Sequence, residues 1–230
     1  NYMSFNFQKG ELILIDKELE WTSFDVVNKL RSSIKRKLKI KKLKVGHAGT
    51  LDPLATGLII LCTGKLTKSI NNYSEMEKTY YGRMIIGSTT PSFDLETSPN
   101  VFFPVDHIDE KLIEQTRKKF EGEIYQKPPV FSAIKKDGVR LYKLARKGIE
   151  ASIKKRKINV EYFRIVSVDL PIISFEIKCS KGTYIRSIVN DFGKKLNSGA
   201  HLIELRRTSI GNFGLENAMK INNFIKRIKP

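Results

Sequence analysis

Apolar stretches of strand length alternate along the chain with segments that have the three-and-four spacing of a helix. Glu11-Leu-Ile-Leu-Ile-Asp16 is an apolar run closed by acids and predicts a buried strand. Thr22 and Ser23 can then cap a helix whose inward positions are Val26, Val27, Leu30, Ile34 and Leu38. Further strands are predicted at Leu58–Cys62, Thr79–Ile86, Ile158–Val168, Ile172–Cys179 and His201–Ile210. A helix from Asp109 to Phe120 presents Leu112, Ile113, Thr116 and Phe120, with Gly122 placed to close it. Another, with Thr183 as its expected N-cap, turns Ile185, Ile188, Val189, Phe192 and Leu196 inward. Ile221–Ile228 predicts a short terminal helix. Segments 158–168 and 172–179 read as a hairpin, so the expected class is α+β with a largely antiparallel sheet.

Gln126 to Lys157 differs in character. It holds Pro128-Pro129, a turn signal at Lys136-Asp137-Gly138, a helical stretch Arg140–Lys147 ended by Gly148, and the cluster Lys154-Lys155-Arg156-Lys157. With Phe131 and Tyr142 among its basic residues, it reads as an insertion that leans on a partner rather than on the core, or else as an exposed hairpin. The length of 230 residues fits a single domain, 1–230, carrying this insertion at about 126–157.

Charge narrows the partner. The formal net charge is +18, from 42 Lys and Arg against 24 Asp and Glu, and solubility alone does not require it. A polyanion follows, nucleic acid first. No apolar run approaches the roughly 20 residues of a membrane-spanning helix. In Lys35 to Lys44, seven of ten residues are Lys or Arg, which is either a solvated face or a phosphate-contacting one. Cys62 and Cys179 sit in apolar strand-like segments and read as buried reduced thiols. No basic, apolar leader precedes Gly10, so the expected location is cytoplasmic. His47, His107 and His201 lack the spacing of a zinc site, and no metal is expected.

The candidate chemistry centres on Gly46-His-Ala-Gly-Thr-Leu-Asp-Pro-Leu-Ala-Thr-Gly57. It places one acid, Asp52, in a Gly-punctuated loop before a buried strand. Pro53 fixes its own φ and biases Asp52 toward an extended backbone. That arrangement suits a mounted catalytic carboxylate, and it equally suits a plain Asp-Pro turn capped by Thr50 and Thr56. Lys181-Gly-Thr-Tyr-Ile-Arg186 lies where a strand meets a helix, a place for an anion: a phosphate, or a carboxylate of the protein paired to Arg186. Tyr80, in Lys78-Thr-Tyr-Tyr-Gly, is either a sheet-face ring or a stacking surface for an exposed base. Alternation turns Tyr81 the other way. No P-loop, Rossmann fingerprint or Gly-x-Ser-x-Gly elbow is present.

Taken in order, these residues resemble the bacterial tRNA pseudouridine-55 synthase family of the TruB type, over nearly the whole chain. Gly10–Lys17 resembles its opening strand, Gly46–Gly57 its central motif and Lys78-Thr-Tyr80 its tyrosine motif. Lys127-Pro-Pro-Val-Phe-Ser-Ala-Ile-Lys135 resembles its tRNA-gripping insertion, Cys179–Arg186 its arginine motif and His201–Arg207 its last motif. The resemblance implies a pseudouridine synthase fold, a mixed sheet flanked by helices. It implies isomerisation of uridine 55 in the TΨC loop of tRNA by base flipping, with no cofactor. By the same resemblance Asp52 is the essential carboxylate, Tyr80 stacks on the uracil and Arg186 pairs with the aspartate. Leu205 packs near the base, His47 fills the space the flipped nucleotide leaves, Asp94 is an acid near the pocket, and Lys181 and Thr50 contact substrate. The implied partner is the TΨC stem-loop of tRNA, bound by a monomer with no protein partner and no membrane. The sequence departs from the family pattern at Glu18 and Glu20, where Pro and Gly are usual. With Pro230 the last residue, a C-terminal PUA domain is not expected, and RNA affinity falls to the catalytic domain.

Overall fold

In the computed structural model, residues 5–149 and 152–228 are described, so residues 150 and 151 of the predicted insertion and the first four residues lie outside the description. The strands begin with β1 (Leu12–Lys17), β2 (Val45–His47), β3 (Ala55–Thr63), β4 (Lys78–Ile86), β5 (Ser88–Thr89) and β6 (Val101–Phe102). They continue with β7 (Gly122–Gln126), β8 (Lys135–Lys136), β9 (Val139–Arg140), β10 (Arg156–Asp169), β11 (Ile172–Cys179), β12 (Ala200–Ile210) and β13 (Phe213–Gly214). The helices are α1 (Ser23–Lys37), α2 (Ile70–Ser74), α3 (Glu110–Lys118), α4 (Leu141–Arg146), α5 (Ile185–Lys195) and α6 (Ile221–Arg227). The chain divides into two compact units, residues 1–80 with 205–230, and residues 81–204.

In the first unit β3 is central. It pairs antiparallel with β1 and β2 and parallel with β12, which in turn holds β13. Its residues are buried on both faces, which is why it reads as a continuous apolar run instead of an alternating one. Ile59 and Leu61 pack with Ile13 and Ile15 under the α1 stripe of Val26, Val27, Leu30 and Ile34. Leu58, Ile60 and Cys62 pack with Ala48 and Ile210. Both cysteines are buried, and burial pushes the Cys62 thiol up to about 11. The expected start of α1 is correct: Thr22 is its N-cap in a full capping box with Asp25. One lysine of the 35–44 run is structural, because Lys37 Nζ donates to Ile225 O (2.8 Å) and Ile228 O (2.9 Å) and so caps α6.

In the second unit the strand order is β4-β11-β10-β7, and β10 and β11 form the expected antiparallel hairpin. Helices α3 and α5 cover an aromatic cluster in which Phe163 meets Phe120, Phe175 and Phe192 at 6.4, 5.5 and 5.6 Å between ring centres. Two helix ends differ from expectation. Asp109 caps α3, but Lys119 ends it, and Gly122 instead opens β7 with φ 81°. Thr183 does not cap α5: its hydroxyl bonds to Ser180 O, and the cap is Tyr184. Tyr184 N–H donates to Gln126 Oε1 (2.7 Å) and Tyr184 O accepts from Gln126 Nε2 (3.2 Å), so a residue 58 positions away holds the cap residue's backbone.

The insertion forms the expected turn, with Asp137 and Gly138 both left-handed between β8 and β9, and α4 ends before Gly148 as expected. Its base rests on the protein, while its basic residues face outward. Pro128, Pro129, Ser132 and Leu141 are buried, while Lys135, Lys143, Arg146 and Lys147 stay exposed.

Candidate active site

The loop from 48 to 54 carries Asp52 between β2 and β3, and its backbone is pinned residue by residue. Ala48 N–H donates to Ile60 O (2.9 Å), and Ala55 N–H closes the turn on Asp52 O (3.0 Å). Ser23 Oγ accepts from Leu51 N–H (2.9 Å) and donates to Leu51 O (3.1 Å). Glu20 N–H donates to Pro53 O (2.8 Å). Glu20 adopts a left-handed backbone, φ 69°, which costs a non-glycine residue roughly 1–2 kcal/mol. The turn that reaches Pro53 is thus made with Glu20 in a conformation that a glycine takes freely.

Two buried cations complete the cradle. Lys17, 1% exposed, donates from Nζ to Trp21 O (2.6 Å), Glu18 O (3.0 Å) and Pro53 O (3.4 Å), using all three of its protons on carbonyls. Arg207, also 1% exposed, donates from Nε to Leu58 O (2.8 Å), from Nη2 to Gly49 O (3.2 Å) and from Nη1 to Thr50 O (3.4 Å). Gly57 lets the strands close here. Its φ is 107°, and a methyl group on it would collide with the Arg207 backbone across the parallel pair. Beside it Arg206 clasps Asp16 through two bonds (3.0 and 2.9 Å) and reaches Thr56 Oγ1 (3.2 Å). Burial alone would raise the Asp16 carboxyl, but Arg206 and Lys220 outweigh it and hold it below the usual range.

Burial, opposed in part by the charge of Asp52, lowers the Lys17 ammonium to about 8. Between that value and the 10.5 of an exposed lysine, the unfolded chain holds a proton that the folded chain has released. Stability from this group therefore rises with pH across 8 to 10.5, by up to about 3 kcal/mol. The expected outcome is that the difference in unfolding free energy between wild type and Lys17→Met changes in that sense over the window. A pH-independent difference in urea titrations would contradict it.

The other residues singled out in the sequence fall in both units. His47 ends β2 half-buried, and burial lowers its imidazole below the ordinary value, so it is neutral at pH 7. Thr50 is exposed on the loop. Leu205, 7% exposed, pairs with Ala55 across the parallel ladder. Tyr80, 8% exposed, alternates with a half-buried Tyr81 as expected. In the second unit, Arg186 is 3% exposed and turned into the protein. It donates to Phe131 O (2.8 Å) and Ser92 O (3.4 Å) and lies 3.9 Å from Asp94 Oδ2. Asp94, 6% exposed, also accepts Glu96 N–H (2.9 Å). A buried ion pair needs such extra bonds to offset desolvation. Arg186 therefore faces a carboxylate of the protein within its own unit, while Lys181 is exposed on the turn before α5.

Lys17 and Arg207 had no role assigned from the sequence, and Ser23 only that of a helix cap. Strand parity carried the signal for the first two. Lys17 falls on the buried phase of β1 with Ile13 and Ile15, and Arg207 on that of β12 with Leu205. A cation at an inward position is rarely there without a partner. Among the described residues no group of His, Cys, Asp and Glu is placed to hold a metal ion, and no helix is long and apolar enough to cross a membrane.

The profile of the TruB family pseudouridylate synthase (N terminal domain) matches residues 35–185, and that of the tRNA pseudouridylate synthase B C-terminal domain matches residues 186–228. The chain is 54% identical over 219 residues to tRNA pseudouridine synthase B of Flavobacterium johnsoniae, covering 95% of this chain and 96% of that one. It is 49% identical over 225 residues to the protein of the same name from Parabacteroides distasonis, covering 96% of each. Among solved structures it is similar to a chain of a Cbf5-Nop10-Gar1 complex, with a TM-score of 0.71 and 29% identity over 96% of this chain. It spans about half of that longer chain, 54%. The α+β fold is that of pseudouridine synthases, and with profiles matched from residue 35 to 228 and relatives half identical from end to end, the chain belongs to the TruB family of pseudouridylate synthases, which are isomerases.

Proposed function

We propose that this enzyme isomerises uridine 55 in the TΨC loop of tRNA, acting as a cytoplasmic monomer without a protein partner. The observation that carries the reading is the Asp52 loop, whose carbonyls from Gly49 to Leu51 and at Pro53 are each held by a donor from β1, α1 or β12 or the turn between them. Catalysis by a side chain requires its backbone to be held, and the backbone of this loop is held on both sides of Asp52. The curated relatives are named for tRNA, which supports that substrate. The neighbour described as an H/ACA RNP bound to a substrate RNA shares 27% identity, which favours the tRNA enzyme over a guide-dependent one.

In this reading the uracil leaves the stack at a cost of a few kcal/mol, offset by stacking on Tyr80 and by phosphate contacts. Leu205 packs against the base, and His47 fills the space it vacates. Asp52 attacks the flipped nucleotide or removes the C2′ proton; uracil detaches from C1′, turns and rejoins through C5, which gives up its proton while N1 takes one up, and the bond to Asp52 is broken or the C2′–H restored. Arg186, with Asp94 beside it, positions the carboxylate. Thr50 and Lys181, both exposed, contact the RNA. The test is tritium release from C5-labelled uridine in a tRNA transcript. Release that persists when the TΨC-loop uridine is replaced by cytidine would overturn the assigned position.

A groove of about 400 Å³ gathers four exposed lysines, Lys42, Lys44, Lys65 and Lys68, and suits the RNA backbone. Replacing Lys65 and Lys68 with Gln is expected to weaken tRNA binding and to lower the salt slope of log Kd by about 1.5–2, close to one per phosphate contact. Filter binding from low to moderate salt measures it, and an unchanged slope would remove this groove from the interface.

A further inference from the structure

Helix α5 carries Arg186 near its start, and its other end opens on a groove that the isomerase reaction does not use. The groove holds about 590 Å³, within the range of small-molecule sites. Phe93 and Phe103 line it with aromatic surface. Asn190 and Ser198 line it too, each 4% exposed, and Ser198 Oγ is buried without a hydrogen-bond partner in the protein. An unpaired buried hydroxyl is unfavourable, so a ligand that bonds to it relieves that cost. Lys194 and Asn100 stand exposed at the rim. The lining contains one cation and no carboxylate, which suits an anion and not a metal ion.

Phe93 connects the groove to Arg186. It is a non-glycine residue with φ 67°, a strained conformation that tends to be kept where it serves a site. Its C=O accepts from Leu202 N–H (2.9 Å), which locks the strained residue in place. Its neighbours on either side, Ser92 and Asp94, both contact Arg186, which Phe131 O also holds.

We propose that this groove is a nucleotide-binding site. The rings of Phe93 and Phe103 offer stacking surface, the Asn190 amide and Ser198 hydroxyl bond the edge of a base, and Lys194 takes the phosphate. The same chemistry is presented by a nucleotide of a bound RNA and by a free nucleoside monophosphate. The RNA-borne form rests on the reading of the protein as a tRNA-modifying enzyme; the free form does not.

The experiment uses the whole chain, wild type beside Asn100→Trp, which fills the mouth of the groove from an exposed position, and Lys194→Ala. Calorimetry measures binding of each of the four nucleoside monophosphates, and filter binding measures affinity for a tRNA transcript. At least one monophosphate is expected to bind wild type, to be lost with Asn100→Trp and to weaken about three- to tenfold with Lys194→Ala. Loss of tRNA affinity in the same two variants, with tritium release at saturating tRNA unchanged, assigns the groove to an RNA nucleotide. Monophosphate binding that depends on both residues, with tRNA affinity unaffected, assigns it to a free nucleotide. If neither ligand responds to either substitution in variants that melt like wild type, the groove is not a nucleotide site. Failure to bind tRNA at all would count against the functional reading and leave the monophosphate result to stand by itself.

Discussion

Asp52→Asn is expected to lower tritium release from C5-labelled tRNA by at least about 10³-fold, with tRNA affinity and melting temperature close to wild type. The substitution keeps the shape of the side chain and removes its charge and basicity. The path of the loop is set through its backbone, where Ser23, Glu20, Lys17 and Arg207 bond to its carbonyls and amides. Geometry and chemistry are therefore separable at this position. The charge also has a local readout. Asp52 raises the Lys17 ammonium against the lowering by burial, so its removal moves Lys17 further below about 8. In Asp52→Asn the stability contribution of Lys17 then begins its rise at a lower pH than in wild type, since the folded state releases the proton earlier while the unfolded state is unchanged. A variant that turned over within tenfold of wild type would show that another group carries the reaction. One that lost tRNA binding in parallel would place Asp52 in recognition instead.

How much of this was legible in the sequence depended on the range of the interactions involved. The strands near 12–17, 55–63, 78–86 and 172–179 and the face of α1 follow from patterns spanning a few residues, and they stand where periodicity placed them. The Asp137-Gly138 turn and the Thr22 cap are equally local. The two helix ends that were misplaced depend on distant partners. Tyr184, the cap residue, is held by Gln126 across 58 residues, and a reading that looks for the nearest Ser or Thr finds Thr183 instead. The site divides in the same way. The Gly-rich motif pointed to Asp52, whereas the residues that hold its loop lie 150 or more positions away in Arg207 or about 30 away in Ser23. Parity along β1 and β12 marked Lys17 and Arg207 as inward cations but could not say which carbonyls they serve. Asp94 was visible only as a loose likeness, because its burial against Arg186 joins segments 92 residues apart.

Arg207→Met is expected to destabilise the protein by on the order of 3–5 kcal/mol and to reduce turnover more than it weakens tRNA binding. Methionine can fill much of the space but donates nothing, so the carbonyls of Leu58, Gly49 and Thr50 lose their donor. Each buried carbonyl left unpaired costs about 1–3 kcal/mol, and relaxation of the loop toward solvent recovers part of the sum. Gly49 and Thr50 are the carbonyls that relax, and they lie two and three residues before Asp52, so the recovery of stability moves the catalytic loop. Misplacing a reacting group by about 1 Å can cost roughly 10²-fold in rate, and this is why the defect should appear in kcat with KM little changed. Arg207→Lys keeps one charged donor and should restore part of the stability but less of the rate, because an ammonium cannot span three carbonyls from the position of a planar fork. A merely structural arginine would not produce the second signature. Arg207 lowers the Lys17 ammonium, so its loss should move the pH at which Lys17 begins to add stability upward from about 8, opposite to the shift in Asp52→Asn. Gly57→Ala supplies an independent approach to the same contact, pushing the Arg207 backbone away while leaving its side chain intact, and it should lower stability and kcat together. Wild-type melting and turnover in Arg207→Met would mean that the loop is held well enough by Lys17 and Ser23 alone.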